Sequence, residues 1–113
     1  MICRTWHGWT TRENAAAYED VVRNIVIPGI ERMKIKGFQH IDLMKRDCGN
    51  EFEFQTIMWF DSLKSIVDFV GEDPERSHVP DQARAVLSRF DARATHYDVI
   101  DRRPQGLDNE SIG

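Results

Sequence analysis

Cysteine is scarce, and its placement excludes more than its number does. Cys3 and Cys48 are the only two, far apart and in no CxxC pair, so neither a disulfide framework nor a cysteine-based zinc site has a motif behind it. No HxH or HExxH spacing occurs, and no metal site is expected. GxGxxG, GxxxxGK and GxSxG are also missing, which leaves phosphate-cradling loops and the hydrolase nucleophile elbow unsupported. No apolar run approaches the roughly 20 residues that a bilayer requires. The opening MICRTWHGWT has neither a basic nor an apolar leader region, so a cytoplasmic chain with no membrane partner is expected. A dominant charge sign is absent too. Fifteen Lys and Arg, scattered among nineteen Asp and Glu, leave a net charge of −4, and nucleic acid is not an expected partner.

What remains is a chain of 113 residues, 41% of them hydrophobic, enough for one small domain with a core and too apolar for disorder. Domains of this size bury a modest share of their surface and often associate. Ile2 to Trp9 mixes β-formers and aromatics and reads as a first strand. Thr10 stands three residues before Glu13, the spacing of a capping box, and Ala15-Ala16-Ala17 follow as helix formers. Tyr18, Val21, Val22 and Ile25 then fall on one helical face, a core-packing stripe. Pro28-Gly29 should kink this helix before Ile30 to Met33 resume it, and Gly37 should end it.

Phe38 to Arg46 and Glu51 to Trp59 read as an antiparallel hairpin joined by Asp47-Cys48-Gly49-Asn50. Strand alternation puts Phe52, Phe54, Thr56 and Met58 on one face, and Glu53, Gln55, Ile57 and Trp59 on the other. Asp61-Ser62 offers an N-cap for a short helix with Leu63, Ile66, Val67 and Val70 on its apolar face, and Gly71 takes the C-terminal position. Pro80 should open a last helix, with Ala83, Val86, Leu87 and Phe90 on one face, before a closing strand from Thr95 to Ile100. Residues 101–113 are polar and predict a mobile tail behind a single domain of residues 1–100. The order β-α-β-β-α-α-β is that of an α+β, ferredoxin-like sandwich with one extra helix. Neither face of its sheet is wholly polar, so face-to-face association into a homodimer is expected.

The stretch Thr56-Ile57-Met58-Trp59-Phe60-Asp61-Ser62-Leu63-Lys64-Ser65-Ile66, a strand ending in Trp that runs into a Ser-capped helix, resembles the antibiotic-biosynthesis-monooxygenase superfamily of dimeric α+β barrels. Element order carries the resemblance over about residues 2–100, and Phe69-Val70-Gly71-Glu72-Asp73, Phe90-Asp91 and His96-Tyr97 are similar to small bacterial members without an assigned reaction. The resemblance implies a pocket between sheet and helices. It also implies, among possible activities, cofactor-independent oxygenation of a small aromatic or quinol. A non-catalytic dimeric domain binding a small apolar ligand is the alternative. Haem binding or degradation is a lesser one, because His78 stands near the family's axial histidine while Phe69 replaces its Trp and the first strand offers Arg4, Thr5, Trp6 and His7 but no Asn. No cofactor is otherwise expected.

His78, in the loop Ser77-His78-Val79-Pro80, is a candidate base or simply a loop residue. His96 and Tyr97 are adjacent on a strand and must point to opposite faces, so His96 is either a pocket group or a structural histidine, and Tyr97 a candidate substrate contact. Arg4, on an otherwise apolar strand, needs an anionic partner, either Glu53 or Asp98 in the fold or a phenolate or carboxylate on a ligand. Trp6, Trp59 and Phe69 are candidate walls for a planar ligand, or core residues. His7 and His40 approach His96 only if strand register allows it.

Overall fold

A computed structural model describes residues 1–106. Five strands form one sheet: β1 (Ile2–Thr11), β2 (Phe38–Asp47), β3 (Glu51–Phe60), β4 (Arg89–Phe90) and β5 (Thr95–Asp98). β3 lies between β2 and β1, and both β4 and β5 pair with the other edge of β1; every pairing is antiparallel. The helices α1 (Ala15–Val21), α2 (Ile27–Arg32), α3 (Leu63–Val70) and α4 (Asp81–Arg84) complete an α+β, ferredoxin-like arrangement. No helix among the described residues is long and apolar enough to cross a membrane.

Strand alternation decides which residues meet the helices. Arg4, Gly8 and Thr10 of β1 and Phe54, Met58 and Phe60 of β3 are buried on the inner face, whereas their odd-numbered neighbours point outward. Two core clusters result. One joins Ile30, Met58, Phe60, Ile66, Phe69 and Val70 beneath α3, and the other joins Ala15, Tyr18, Val22, Phe54 and Ala83 beneath α1 and α4. Phe54, Phe60 and Ile66 are fully buried, each contributing about 1.5–3 kcal/mol from removal of apolar surface from water.

The first helix runs through Pro28 and Gly29 without the interruption expected there, and its irregularity lies just ahead of the proline. Between α1 and α2 the turn widens over Val22–Val26, where the Ile27 amide donates to the Val22 carbonyl five residues back. Proline supplies no N–H to the carbonyl four residues earlier and its ring crowds that oxygen, so the ladder shifts by one residue ahead of it. The expected Thr10–Glu13 capping box does not form: β1 continues to Thr11, Asn14 precedes the helix, and the Thr11 Oγ1 accepts from the Asn14 amide at 3.2 Å. Thr10 is fully buried, and its Oγ1 has no hydrogen-bond partner among the described residues.

The hairpin turn at Cys48-Gly49-Asn50 and the helix between Ser62 and Gly71 lie where the sequence places them, although Leu63 is half exposed and Phe69 takes its place in the core. The last helix is the main correction. It stops at Arg84, and Arg89–Phe90 instead becomes β4, with the Ser88 amide donating to the Trp9 carbonyl at 2.7 Å and the Asp91 amide to that of His7 at 2.9 Å. The unpaired edge of β1 captures this segment, and a helical period in the sequence yields to strand pairing. Gly8 makes the capture possible, because a Cβ there would come within 2.8 Å of Leu87 Cδ2. The closing strand ends at Asp98 rather than Ile100. Residues 101–106 have no regular structure, and the rest of the predicted tail lies outside the described residues.

Candidate active site

The seam between the two core clusters is open. A narrow cleft with about 50 Å³ of cavity volume runs between the inner sheet face and the first helix, lined by Arg4, Trp6, Thr56 and Met58 below and by Tyr18, Val22, Val26 and Ile30 above. Phe69, His78, Val79 and Pro80 close one end. Its walls are mainly apolar with a few polar groups, the character of a small-molecule site.

Arg4 is the cleft's charged residue. It is 3% exposed, yet no carboxylate reaches it among the described residues: its Nη1 donates to the Pro74 carbonyl at 2.6 Å, its Nη2 to the Arg76 carbonyl at 2.6 Å, and His96 Nε2 lies 3.0 Å from Nη1. Phe69 covers the guanidinium, ring centre to Cζ 5.4 Å. Burial lowers the Arg4 pKa to about 10, which leaves it charged at neutral pH. Glu53, one expected partner, is on the opposite sheet face and pairs with Arg46 at 3.0 Å. Asp98, the other, lies across from Ile2 at the strand end and forms no ion pair with Arg4. The cation therefore faces the cleft uncompensated.

His78 stands at the rim. Its ring packs on Phe69 at 4.9 Å between centres while another side meets solvent. That partial burial, together with Arg4 and Arg76, lowers its pKa from the usual histidine value, so the imidazole is neutral at pH 7 and able to accept a proton. His96 is also held below its usual value, by desolvation first and then by Arg4, against a weaker opposing pull from Glu75. It does not line the cleft; it buttresses Arg4 from behind. Trp6 is fixed by its Nε1, which donates to the Asp91 carbonyl at 2.9 Å and to Ser77 Oγ at 3.1 Å.

Of the residues singled out from sequence, the fold brings Arg4, Trp6, Phe69 and His78 together around the cleft, with His96 beside Arg4. It does not bring Trp59 or Tyr97 there. Cys3 is the register partner of both, so all three share the outer sheet face, where Trp59 stacks on His40 with ring centres 4.5 Å apart. His7 is likewise outside, its Nδ1 2.8 Å from Asp91 Oδ2, and so neither His7 nor His40 approaches His96. Among the described residues no three metal-ligating side chains converge. Sequence reading missed Tyr18. It belongs to the apolar stripe of α1 and packs edge-on against Phe54 at 4.8 Å, but it also lines the cleft. Burial raises its pKa to about 12, so its hydroxyl remains a donor. A tyrosine within an otherwise aliphatic stripe was the available signal.

The fold has solved counterparts. A Bacillus cereus protein named as a candidate antibiotic biosynthesis monooxygenase matches with a TM-score of 0.59 at 13% identity, over 91% of this chain and 96% of its own. Rv0793 from Mycobacterium tuberculosis matches with a TM-score of 0.50 at 14% identity, over 91% of this chain and 98% of its own. No protein-family model matches the sequence. No curated protein matches it either. The likeness is one of fold: the chain shares the α+β fold of these two proteins.

Proposed function

We propose that the protein is a cofactor-independent oxygenase of a small phenol or quinol, bound in the cleft between sheet and helix. The observation that carries this reading is the buried Arg4 cation on an apolar wall, held by two carbonyls and an imidazole and by no carboxylate among the described residues. A cation in such surroundings favours an anion beside it. A hydroxyl directed at Arg4 ionises more readily and neutral His78 takes its proton; the electron-rich ring then reduces dioxygen by four electrons, one oxygen atom becoming a new ring carbonyl and the other leaving as water, so that the phenol becomes a quinone. Trp6 and Phe69 bracket the ring, and Tyr18 donates from the opposite wall.

A homodimer completes the reading. The outer sheet face carries Trp9, Ile57 and Trp59 among polar residues, and Tyr97 is an exposed aromatic beside them. A second copy of the sheet is the occupant that this mixed surface suits.

The test is titration with menadiol and a set of polycyclic phenols, with haemin alongside, following thermal shift and oxygen uptake in wild type and His78→Ala. Phenol or quinol binding with oxygen uptake that falls about a hundredfold or more in His78→Ala, the usual range for loss of a general base, supports the oxygenase. Binding without oxygen uptake in the wild type replaces it by the non-catalytic ligand-binding domain. Binding of haemin alone, or of nothing, refutes both phenol readings.

A further inference from the structure

The inner cleft has a neighbour beyond His78. A second, wider basin of about 810 Å³, its open mouth included, is lined by Phe69, Val70, Arg76, Ser77, His78, Val79, Pro80 and Arg84. Phe69, His78, Val79 and Pro80 line both spaces, so the basin adjoins the cleft across these side chains. The charges along the two have one sign. Arg4 lines the cleft, Arg76 and Arg84 line the basin, and no Asp or Glu lines either, although acids outnumber Lys and Arg by nineteen to fifteen in the chain.

The nearby acids are committed elsewhere. Asp73 and Glu75 face Arg93 at 2.6 and 3.2 Å, and Glu53 faces Arg46 at 3.0 Å. Arg76 and Arg84 form no ion pair among the described residues; Arg84 lies over the Phe90 ring at 5.4 Å. Arg76 is also tied to the inner site, since its carbonyl accepts from Arg4 Nη2 at 2.6 Å. A neutral phenol needs no cation at the mouth. Arg76 and Arg84 are exposed at the basin and Arg4 is buried in the adjoining cleft, and like charges gathered at a concave surface give a positive potential that an anion relieves.

We propose that the substrate is an aromatic or quinoid acid, whose anionic group is held at the mouth by Arg76 and Arg84 while its ring and hydroxyl enter the inner cleft. This rests on the reading of the cleft as the substrate site. Arginine at both positions suits a carboxylate, which accepts two parallel N–H bonds from one guanidinium. A sulfate or phosphate ester shares the negative charge but not this two-oxygen match in a single plane.

The probes are a hydroxynaphthoate with hydroxyl and carboxylate at opposite ends, its methyl ester, the corresponding naphthol, and a naphthol bearing sulfate in place of carboxylate. Affinities are measured by calorimetry at low and high salt. The wild type is expected to bind the carboxylate about tenfold more tightly than the ester and naphthol, a gap of the size that one charge-assisted contact supplies, and to lose much of that gap at high salt. Arg76→Gln with Arg84→Gln brings the ratio to about one, within twofold. Arg76→Lys with Arg84→Lys keeps charge without the fork and restores only part of the preference. Equal binding of acid, ester and naphthol overturns the proposal and leaves the cleft reading standing. A preference that survives in the double Gln variant overturns the assignment to these two arginines, and tighter binding of the sulfate overturns the choice of carboxylate. Failure of all four probes overturns the cleft reading together with the proposal.

Discussion

Arg4 Nη1 and His96 Nε2 are 3.0 Å apart on neighbouring strands, where the two residues are direct register partners. A guanidinium can only donate, so His96 accepts through Nε2 and carries its proton on Nδ1. Protonation of His96 removes the acceptor and sets two cations against each other.

Stability should therefore depend on pH in a defined direction. The folded-state pKa of His96 is depressed, so the unfolded chain binds the proton more readily, and stability is fully present above the unfolded histidine value of about 6.5. It falls as pH drops below that value toward the folded pKa, by on the order of 1 kcal/mol for a broken charged hydrogen bond. Urea unfolding at several pH values measures it, and His96→Gln, which keeps an acceptor, should flatten the acid limb. An unchanged limb would assign the dependence to other groups, with His78, shifted in the same direction, the first to examine.

Arg4→Lys keeps a positive charge and still should not fold as stably. One ammonium cannot serve Pro74, Arg76 and His96 in their fixed directions, and the two carbonyls lose partners in a site 3% exposed. A loss of about 2 kcal/mol or more is expected, read from the denaturation midpoint. A midpoint within error of wild type would show that charge alone, rather than the fork, holds this end of the cleft.

Thr10→Val should be neutral or stabilising. The Thr10 hydroxyl is fully buried without a partner, and burying an unpaired hydroxyl costs about 1–3 kcal/mol. Replacing it by a methyl group of the same shape should raise the midpoint by up to that amount. A drop of 1 kcal/mol or more would reveal a hydrogen bond that the hydroxyl makes in solution.

Trp59→Ala and Tyr97→Ala separate the two faces of the sheet. Both residues point away from the cleft, so these variants should weaken self-association by at least tenfold in dimer dissociation, as measured by sedimentation, since buried aromatics dominate such interfaces. Loss of ligand binding without a change in association would instead tie these aromatics to the substrate.

The fold was more legible than the site. The turn at Gly49, the stop at Gly71 and the alternation of Phe54 with Gln55 are local signals, and local signals survive folding. β4 was not legible, because the run from Ala83 to Phe90 has a helical period and only the open edge of β1 turns its end into a strand. Arg4 was recognisable as a cation in need of an anion, but its actual partners are two carbonyls and an imidazole supplied by residues 70 to 92 positions away. Trp59 and Tyr97 were assigned by residue type, whereas register decided their face. Tyr18 was hidden because a cleft wall and a core stripe have the same helical period.

The widened turn over Val22–Val26 takes up one extra residue while the helix on either side keeps its rotational phase. Val22 and Val26 both line the cleft, and Tyr18 lies one turn earlier. A regular helix advances by about 100° per residue, whereas the widened turn spreads one extra residue over nearly the same rotation, so deleting one residue from this stretch would restore regular winding and leave Tyr18 on the cleft wall. The extra residue is thus absorbed locally, and a helix shorter by that one residue would present the same tyrosine to the same Arg4.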